Sequence, residues 1–123
     1  MGITLYGIPN CDQVKKSRTW LEQHGQQHQF HDFKKAGLSE ALVRQWMSLV
    51  SLEDLLNRKG TTWRKLPDER KTAVSDEARA IALMLEQPSI VKRPVLWIDG
   101  PEPQCRLGFS ESAYRELLHP AAA

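Results

Sequence analysis

Two of the 123 residues are cysteines, Cys11 and Cys105. A cysteine does chemistry as its thiolate, so each must be judged by whether its surroundings favour the anion. Ile3 to Ile8 is a short β-type run closed by the turn residues Pro9-Asn10. From Asp12 to about Gln23, Val14, Ser17, Arg18 and Leu21 recur three and four residues apart with no Gly or Pro between them, which predicts a helix stopped by His24-Gly25. Cys11 therefore falls where a strand ends and a helix begins. Unpaired backbone N–H groups and the helix dipole favour negative charge there, and the same groups can hold an oxyanion. Lys15 and Lys16 are positioned to add to the field. Cys105 lies inside a predicted strand beside Arg106 and reads as a packed core thiol.

Val14 occupies the position at which a dithiol enzyme carries its second cysteine, so Cys11-Asp12-Gln13-Val14 is a monothiol motif. A Cys-x-x-Cys pair can close its own disulfide after attack, whereas a monothiol needs an outside thiol to resolve the mixed disulfide. In a reducing cytosol that thiol is expected to be glutathione or a related small molecule. Arg93-Pro94 is the second informative pair. A cis proline opposite the reactive cysteine would let neighbouring backbone dock an extended thiol peptide such as glutathione, with Arg93 as a cation beside the sulfur. The competing reading, slightly favoured by these residues alone, is that Pro94 breaks an edge strand. The histidines (His24, His28, His31 and His119) have no metal-ligand spacing, and His28 and His31 fall on opposite faces of a strand. No metal is expected. Trp46 and Trp63 read as core anchors, and Lys34-Lys35 and Arg70-Lys71 as solvated surface.

The elements that must position Cys11 follow from the pattern. His28 to Phe33 reads as a second strand and Lys34 to Gly37 as a turn. Ser39 caps a helix carrying Leu42, Trp46 and Leu49. Ser51 to Leu56 is a further short helix, followed by a polar loop over Asn57 to Arg64 with aromatic anchoring. Ser75 to Gln87 is a helix capped by Ser75, with Ala78, Ile81, Ala82 and Leu85 as its stripe. Strand signals return at Val91 and at Val95 to Ile98. Asp99-Gly100 marks a hairpin lengthened by Pro101 and Pro103, and Gln104 to Phe109 is the returning strand. Ser110 caps a last helix to Leu118, with Tyr114 and Leu117 inward, and Pro120 with the final alanines forms a frayed tail. A strand–helix–strand unit followed by a hairpin and helix is the thioredoxin-like core. The expected fold is α/β, with a mixed four-stranded sheet and a helical insertion over 37–87 within a single domain 1–123.

Bulk properties fit that fold. The length predicts one domain able to bury a core without staples. Hydrophobic residues at 41% and charged residues at 26% are ordinary for a globular protein, and a net charge of +2 leaves no electrostatic footprint for nucleic acid. No apolar run is long enough to span a bilayer, and the N-terminal residues do not form a secretion signal. The expected location is the cytoplasm, where thiols stay reduced.

Several segments carry a resemblance to a known family: Leu5-Tyr6-Gly7-Ile8 leading to Cys11 with Lys15-Lys16 behind it; Phe30-His31-Asp32-Phe33; Leu56 to Leu66 with its Asn57-Arg58-Lys59-Gly60-Thr61-Thr62 stretch; Pro88 to Leu96 with Lys92-Arg93-Pro94-Val95; and Gly108-Phe109. The chain resembles the arsenate reductase (ArsC) family, more closely its Spx/YffB-type branch. The resemblance implies a thioredoxin fold with a helical insertion, a cis Pro94 and redox chemistry at Cys11. In the reductases this cysteine attacks arsenate, glutathione and glutaredoxin resolve the product, and three arginines hold the oxyanion. Arg93 matches one of the three. The second falls near Asn57-Arg58, a gap-free reading placing Asn57 at its position. The third falls at Gly108, with Arg106 two residues earlier on the same strand face as a substitute. Gly7 stands where the reductases carry a histidine, and Val14 where they carry a serine in the cysteine's first helical turn.

The resemblance thus implies a glutathione-dependent thiol–disulfide oxidoreductase, with Cys11 as nucleophile and Asn10, Arg58, Arg93, Pro94 and Arg106 as candidate substrate-binding residues. Three other readings, enzymatic and non-enzymatic, stand beside it. One is a true arsenate reductase, disfavoured because an oxyanion wants several convergent donors. Another is a redox-responsive regulator that binds RNA polymerase, like Spx-type relatives, which sense oxidation through a Cys-x-x-Cys switch that Val14 removes here. A relative that has lost activity is the third alternative.

Overall fold

In chain order the elements are β1 (Ile3–Gly7), α1 (Asp12–Gln23), β2 (Gln29–Asp32), α2 (Phe33–Ala36), α3 (Glu40–Met47), α4 (Leu52–Leu55), α5 (Thr61–Arg64), α6 (Asp68–Ala73), α7 (Glu77–Glu86), a 3-10 turn (Pro88–Ile90), β3 (Val95–Ile98), β4 (Gln104–Leu107) and α8 (Glu111–Leu118). They come from a computed structural model in which residues 2–118 are described. His119 and the tail from Pro120 lie outside the described residues. By its contacts the chain divides into two units, one made of the residues up to His31 together with those from Arg93 onward, the other of Asp32–Lys92.

The first unit holds the sheet, whose strand order is β2-β1-β3-β4. The helical crossover through α1 is the connection that parallel neighbours require. β3 runs antiparallel to both β1 and β4, pairing Leu5 with Leu96 on one side and Trp97 with Cys105 on the other. This is the mixed four-stranded, thioredoxin-like sheet expected. Side chains alternate across it. Leu5, Leu96 and Ile98 form a buried cluster with Trp20 and Leu21 of α1 and Tyr114 of α8. Replacing a fully buried leucine such as Leu21 by alanine costs about 3 kcal/mol. One polar pair is sealed in the same layer. Ser17 and Tyr114 share a 2.7 Å hydroxyl–hydroxyl hydrogen bond, which satisfies both groups and ties α1 to α8.

β4 stops at Leu107, two residues earlier than predicted, because Gly108 takes φ +76° and turns the chain. Phe109 then packs edge-on against Tyr114 at 5.1 Å. Ser110 caps α8 as predicted, its hydroxyl accepting from the Ala113 N–H at 3.3 Å.

The second unit corrects more of the expectations. Lys34 and Lys35 lie in α2 and not in a plain turn, because the Asp32 carboxylate accepts both of their N–H groups and nucleates a helical turn. Ser39 does cap α3, but that helix ends at Met47, so Leu49 leaves the expected stripe and stands 43% exposed. Trp46 is buried as expected, and Val43 shares the burial with it. Thr61–Arg64, predicted as loop, is α5, with Trp63 buried. α7 is capped by Asp76, whose carboxylate accepts from the Arg79 N–H, while the Ser75 hydroxyl donates to the Thr72 carbonyl. Its inward residues are Ala80, Ile81, Leu83 and Met84. Ala78 and Ala82 are exposed, because the larger Leu83 and Met84 decide which face turns inward.

Candidate thiol site

β1 delivers the chain to the site. Beyond Gly7, Pro9 sits at the second position of a tight turn in which the Cys11 N–H donates to the Ile8 carbonyl at 3.1 Å. Asn10 is exposed at the third position of that turn. Cys11 then takes extended backbone angles, φ −84° and ψ 129°, and becomes the N-cap residue of α1. Its carbonyl accepts the first helical hydrogen bond, from the Lys15 N–H at 2.9 Å. An N-cap side chain is the one most directly offered the orphan N–H groups of the first turn.

The sulfur is half-buried, and burial by itself would raise its pKa. The Val14 N–H, the Arg93 guanidinium and the Gln13 N–H outweigh burial together, and the thiol lies below its ordinary value. Cys11 does not make a side-chain capping bond of regular geometry, so these groups act on the sulfur mainly by favouring its charge. The Val14 and Gln13 N–H groups were not singled out residue by residue in the sequence. The position of Cys11 at the helix start was the signal for them.

Arg93 is thus brought to Cys11. The Arg93–Pro94 peptide bond is cis. Pro94 is buried, and its carbonyl accepts from the Gly108 N–H at 2.9 Å. Lys15 and Lys16 are not among the groups that shift the Cys11 thiol. They are exposed and line an open cleft with Thr19, Trp20 and Phe109. Arg106 is exposed. It donates to the Cys105 carbonyl, and its charge acts on Cys105. Cys105 itself is 4% exposed, and burial pushes its thiol up to about 11. Both cysteines are free thiols.

Within the second unit, Arg58 pairs with Glu53 at 2.8 Å and lies over the Trp63 ring at 5.3 Å. Its neighbour Asn57 is tied down by backbone. The Asn57 N–H donates to the Ile90 carbonyl, and the Lys92 N–H to the Leu55 carbonyl, around a bridge between Leu56 and Val91. The Val91 strand signal is spent on this bridge and not on β3. Gly60 closes the same turn, its N–H donating to the Asn57 carbonyl at 3.3 Å, and a Cβ there would lie 2.9 Å from the Asn57 side-chain nitrogen. Within this unit the segments Leu55 to Asn57 and Ile90 to Lys92 are therefore neighbours through backbone pairing. No group of three or more metal-ligating side chains converges among the described residues, and no helix among them is long and apolar enough to cross a membrane.

Comparison with known proteins places this geometry. The ArsC family pattern matches residues 6–117. A solved structure of a protein named YFFB superimposes with a TM-score of 0.83 at 46% identity, covering 91% of this chain and 95% of that one. The solution structure of an arsenate reductase (ArsC) related protein from Brucella melitensis gives 0.72 at 48% identity, covering 96% and 95%. The global transcriptional regulator Spx of Streptococcus pyogenes is 28% identical over 94% of this chain and 84% of its own. The family so delimited includes both redox enzymes and regulators. With a thioredoxin-like sheet, a cysteine at the start of α1 and a match along nearly its whole length, the chain belongs to the ArsC family.

Proposed function

We propose that this chain is a glutathione-dependent thiol–disulfide oxidoreductase with Cys11 as its nucleophile. One observation carries the reading: the Cys11 sulfur faces two helix N–H groups and the Arg93 guanidinium, and its pKa is lowered although the site is half-buried. In the reaction the Cys11 thiolate attacks one sulfur of a disulfide substrate. The substrate's S–S bond breaks, its other half departs as a thiolate that takes up a proton, and a mixed disulfide with Cys11 remains. Val14 offers no second thiol, so glutathione attacks that mixed disulfide. The substrate half leaves as glutathione disulfide or a glutathione adduct, and Cys11 returns to its anion. One glutathione thiol is consumed and one substrate thiol released, with the number of disulfides unchanged, and a second glutathione attacking the adduct completes the two-electron reduction to substrate thiol and glutathione disulfide.

Arg93 steadies the anion and the carboxylates of glutathione. Asn10 is assigned to backbone groups of the thiol substrate and Pro94 to the edge on which it docks, while Arg58, paired with Glu53 within the second unit, is kept as a candidate for anionic groups. Arg106, engaged with Cys105, serves the substrate only by swinging away from it. Arsenate is the second substrate to try, with glutaredoxin as the resolving partner. The test is turnover of a small mixed disulfide with glutathione, measured on the wild type, Cys11→Ser and Cys105→Ser. Loss in the first variant and retention in the second are expected, and activity surviving in Cys11→Ser refutes the assignment.

Similarity to Spx supports a second reading, a regulator acting on RNA polymerase. Val14 weighs against it, because a Cys-x-x-Cys switch needs a thiol there. Stoichiometric recovery of polymerase subunits on the reduced protein, with no thiol turnover, would establish that reading in place of the first.

A further inference from the structure

We propose that Gly7 is a positioning residue for Cys11: the missing side chain at the end of β1 lets Val14 seat against the strand and so sets where the first turn of α1 stands relative to the sulfur. This inference rests on the reading of Cys11 as the reactive thiol. It starts from a close approach. A Cβ built on Gly7 would lie 2.6 Å from one Val14 methyl carbon, 3.4 Å from the other and 3.6 Å from the Val14 Cβ. The first distance is far inside van der Waals contact. Gly7 has no positive φ, so backbone conformation does not demand glycine here. Room for Val14 does.

Val14 cannot simply turn aside. It is fully buried, and a β-branched side chain in a helix has one strongly preferred rotamer. A methyl group at position 7 must therefore displace the backbone of the first turn. That backbone includes the N–H groups of Gln13 and Val14, which act on the Cys11 sulfur. One residue thus supplies both the wedge against β1 and a group that favours the thiolate. Gly7 and Val14, on either side of the cysteine, are thus one packing unit. A larger residue at 7 calls for a smaller one at 14.

The experiment is the pH dependence of Cys11 alkylation by a small haloacetamide, in a Cys105→Ala background so that one thiol reports. Gly7→Ala is expected to move the titration midpoint upward and slow alkylation at neutral pH about fivefold, because less thiolate is present. Adding Val14→Ala removes both methyl carbons and leaves only the ordinary 3.6 Å contact, so Gly7→Ala/Val14→Ala is expected to return to the titration of Val14→Ala alone. If Gly7→Ala alone fails to fold, that last pair of variants still decides. A folded Gly7→Ala protein with an unchanged titration overturns the proposal. So does a Gly7→Ala/Val14→Ala midpoint well above that of Val14→Ala. Thiol transfer is assayed separately. Absence of turnover in the wild type with the expected titration pattern removes the enzymatic reading and leaves the packing relation standing.

Discussion

Cys11 and Cys105 carry the same side chain in the same unit and are driven in opposite directions. Cys11 stands half-exposed at the start of a helix, between N–H groups and Arg93, and its thiol is lowered. Cys105 stands in the middle of β4, opposite Trp97 and 4% exposed, and burial raises its thiol to about 11 against the single opposing charge of Arg106. Each has an arginine near it, so a neighbouring cation does not separate them. Helix backbone does. A strand spends its N–H groups on the ladder, while the first turn of a helix has donors to spare. The contrast also has opposite consequences for folding. The lowered thiol of Cys11 adds stability above its unfolded value of 9.0, and that gain is lost as pH falls through its folded value. The raised thiol of Cys105 keeps its full contribution below 9.0 and loses it as pH climbs towards about 11.

The largest expected effect tests the contrast directly. Thiolate populations set by a value below 9.0 and one near 11 differ by about a hundredfold or more at neutral pH. Alkylation followed by mass spectrometry on the folded protein must show at least that ratio in favour of Cys11, and equal rates would erase the distinction. The next effect is on alkaline stability. Between pH 9.0 and about 11 the wild type must lose of order 2 kcal/mol more than Cys105→Ala does, read as the difference between their urea-unfolding profiles. Raised Tyr6 and Tyr114 hydroxyls add a common loss to both proteins at still higher pH. Third, Arg93→Ala is expected to slow Cys11 alkylation about tenfold at neutral pH, through loss of a charge-assisted contact, with Cys105 unchanged. An equal slowing of both thiols would mean a general loosening of the fold. The smallest effect lies away from either sulfur. Tyr114→Phe breaks the buried bond to Ser17 and should cost about 1 kcal/mol in urea unfolding, with no change in the reactivity of Cys11.

The first unit was more legible in the amino-acid sequence than the second, and the reason is length. α1 is twelve residues long and repeats its buried positions over three turns, so its bounds could be read directly. The strands were bracketed by Pro9-Asn10 and Asp99-Gly100. α4 and α5 are four residues each, too short for a period to emerge, and α6 has no buried residue to mark a face. In α7 the period was visible but its phase was not, because alanine counts as apolar by type while filling little space. At the site, Cys11, Arg93 and Pro94 were legible from position and resemblance. The contact between Gly7 and Val14 has no signature in one dimension, because it arises where β1 meets α1, from a distance that spacing does not encode.

The cap position of Cys11 bears on how a catalytic cycle would finish as well as how it would start. Whatever makes a sulfur content to be an anion also makes it an apt nucleofuge. In a mixed disulfide the helix start faces a neutral sulfur, and its donors regain a charged partner only when that bond is cut on the Cys11 side. The adduct is thus inherently short-lived in the presence of any competent thiol, which suits a protein whose first helical turn holds no second cysteine to end the reaction itself.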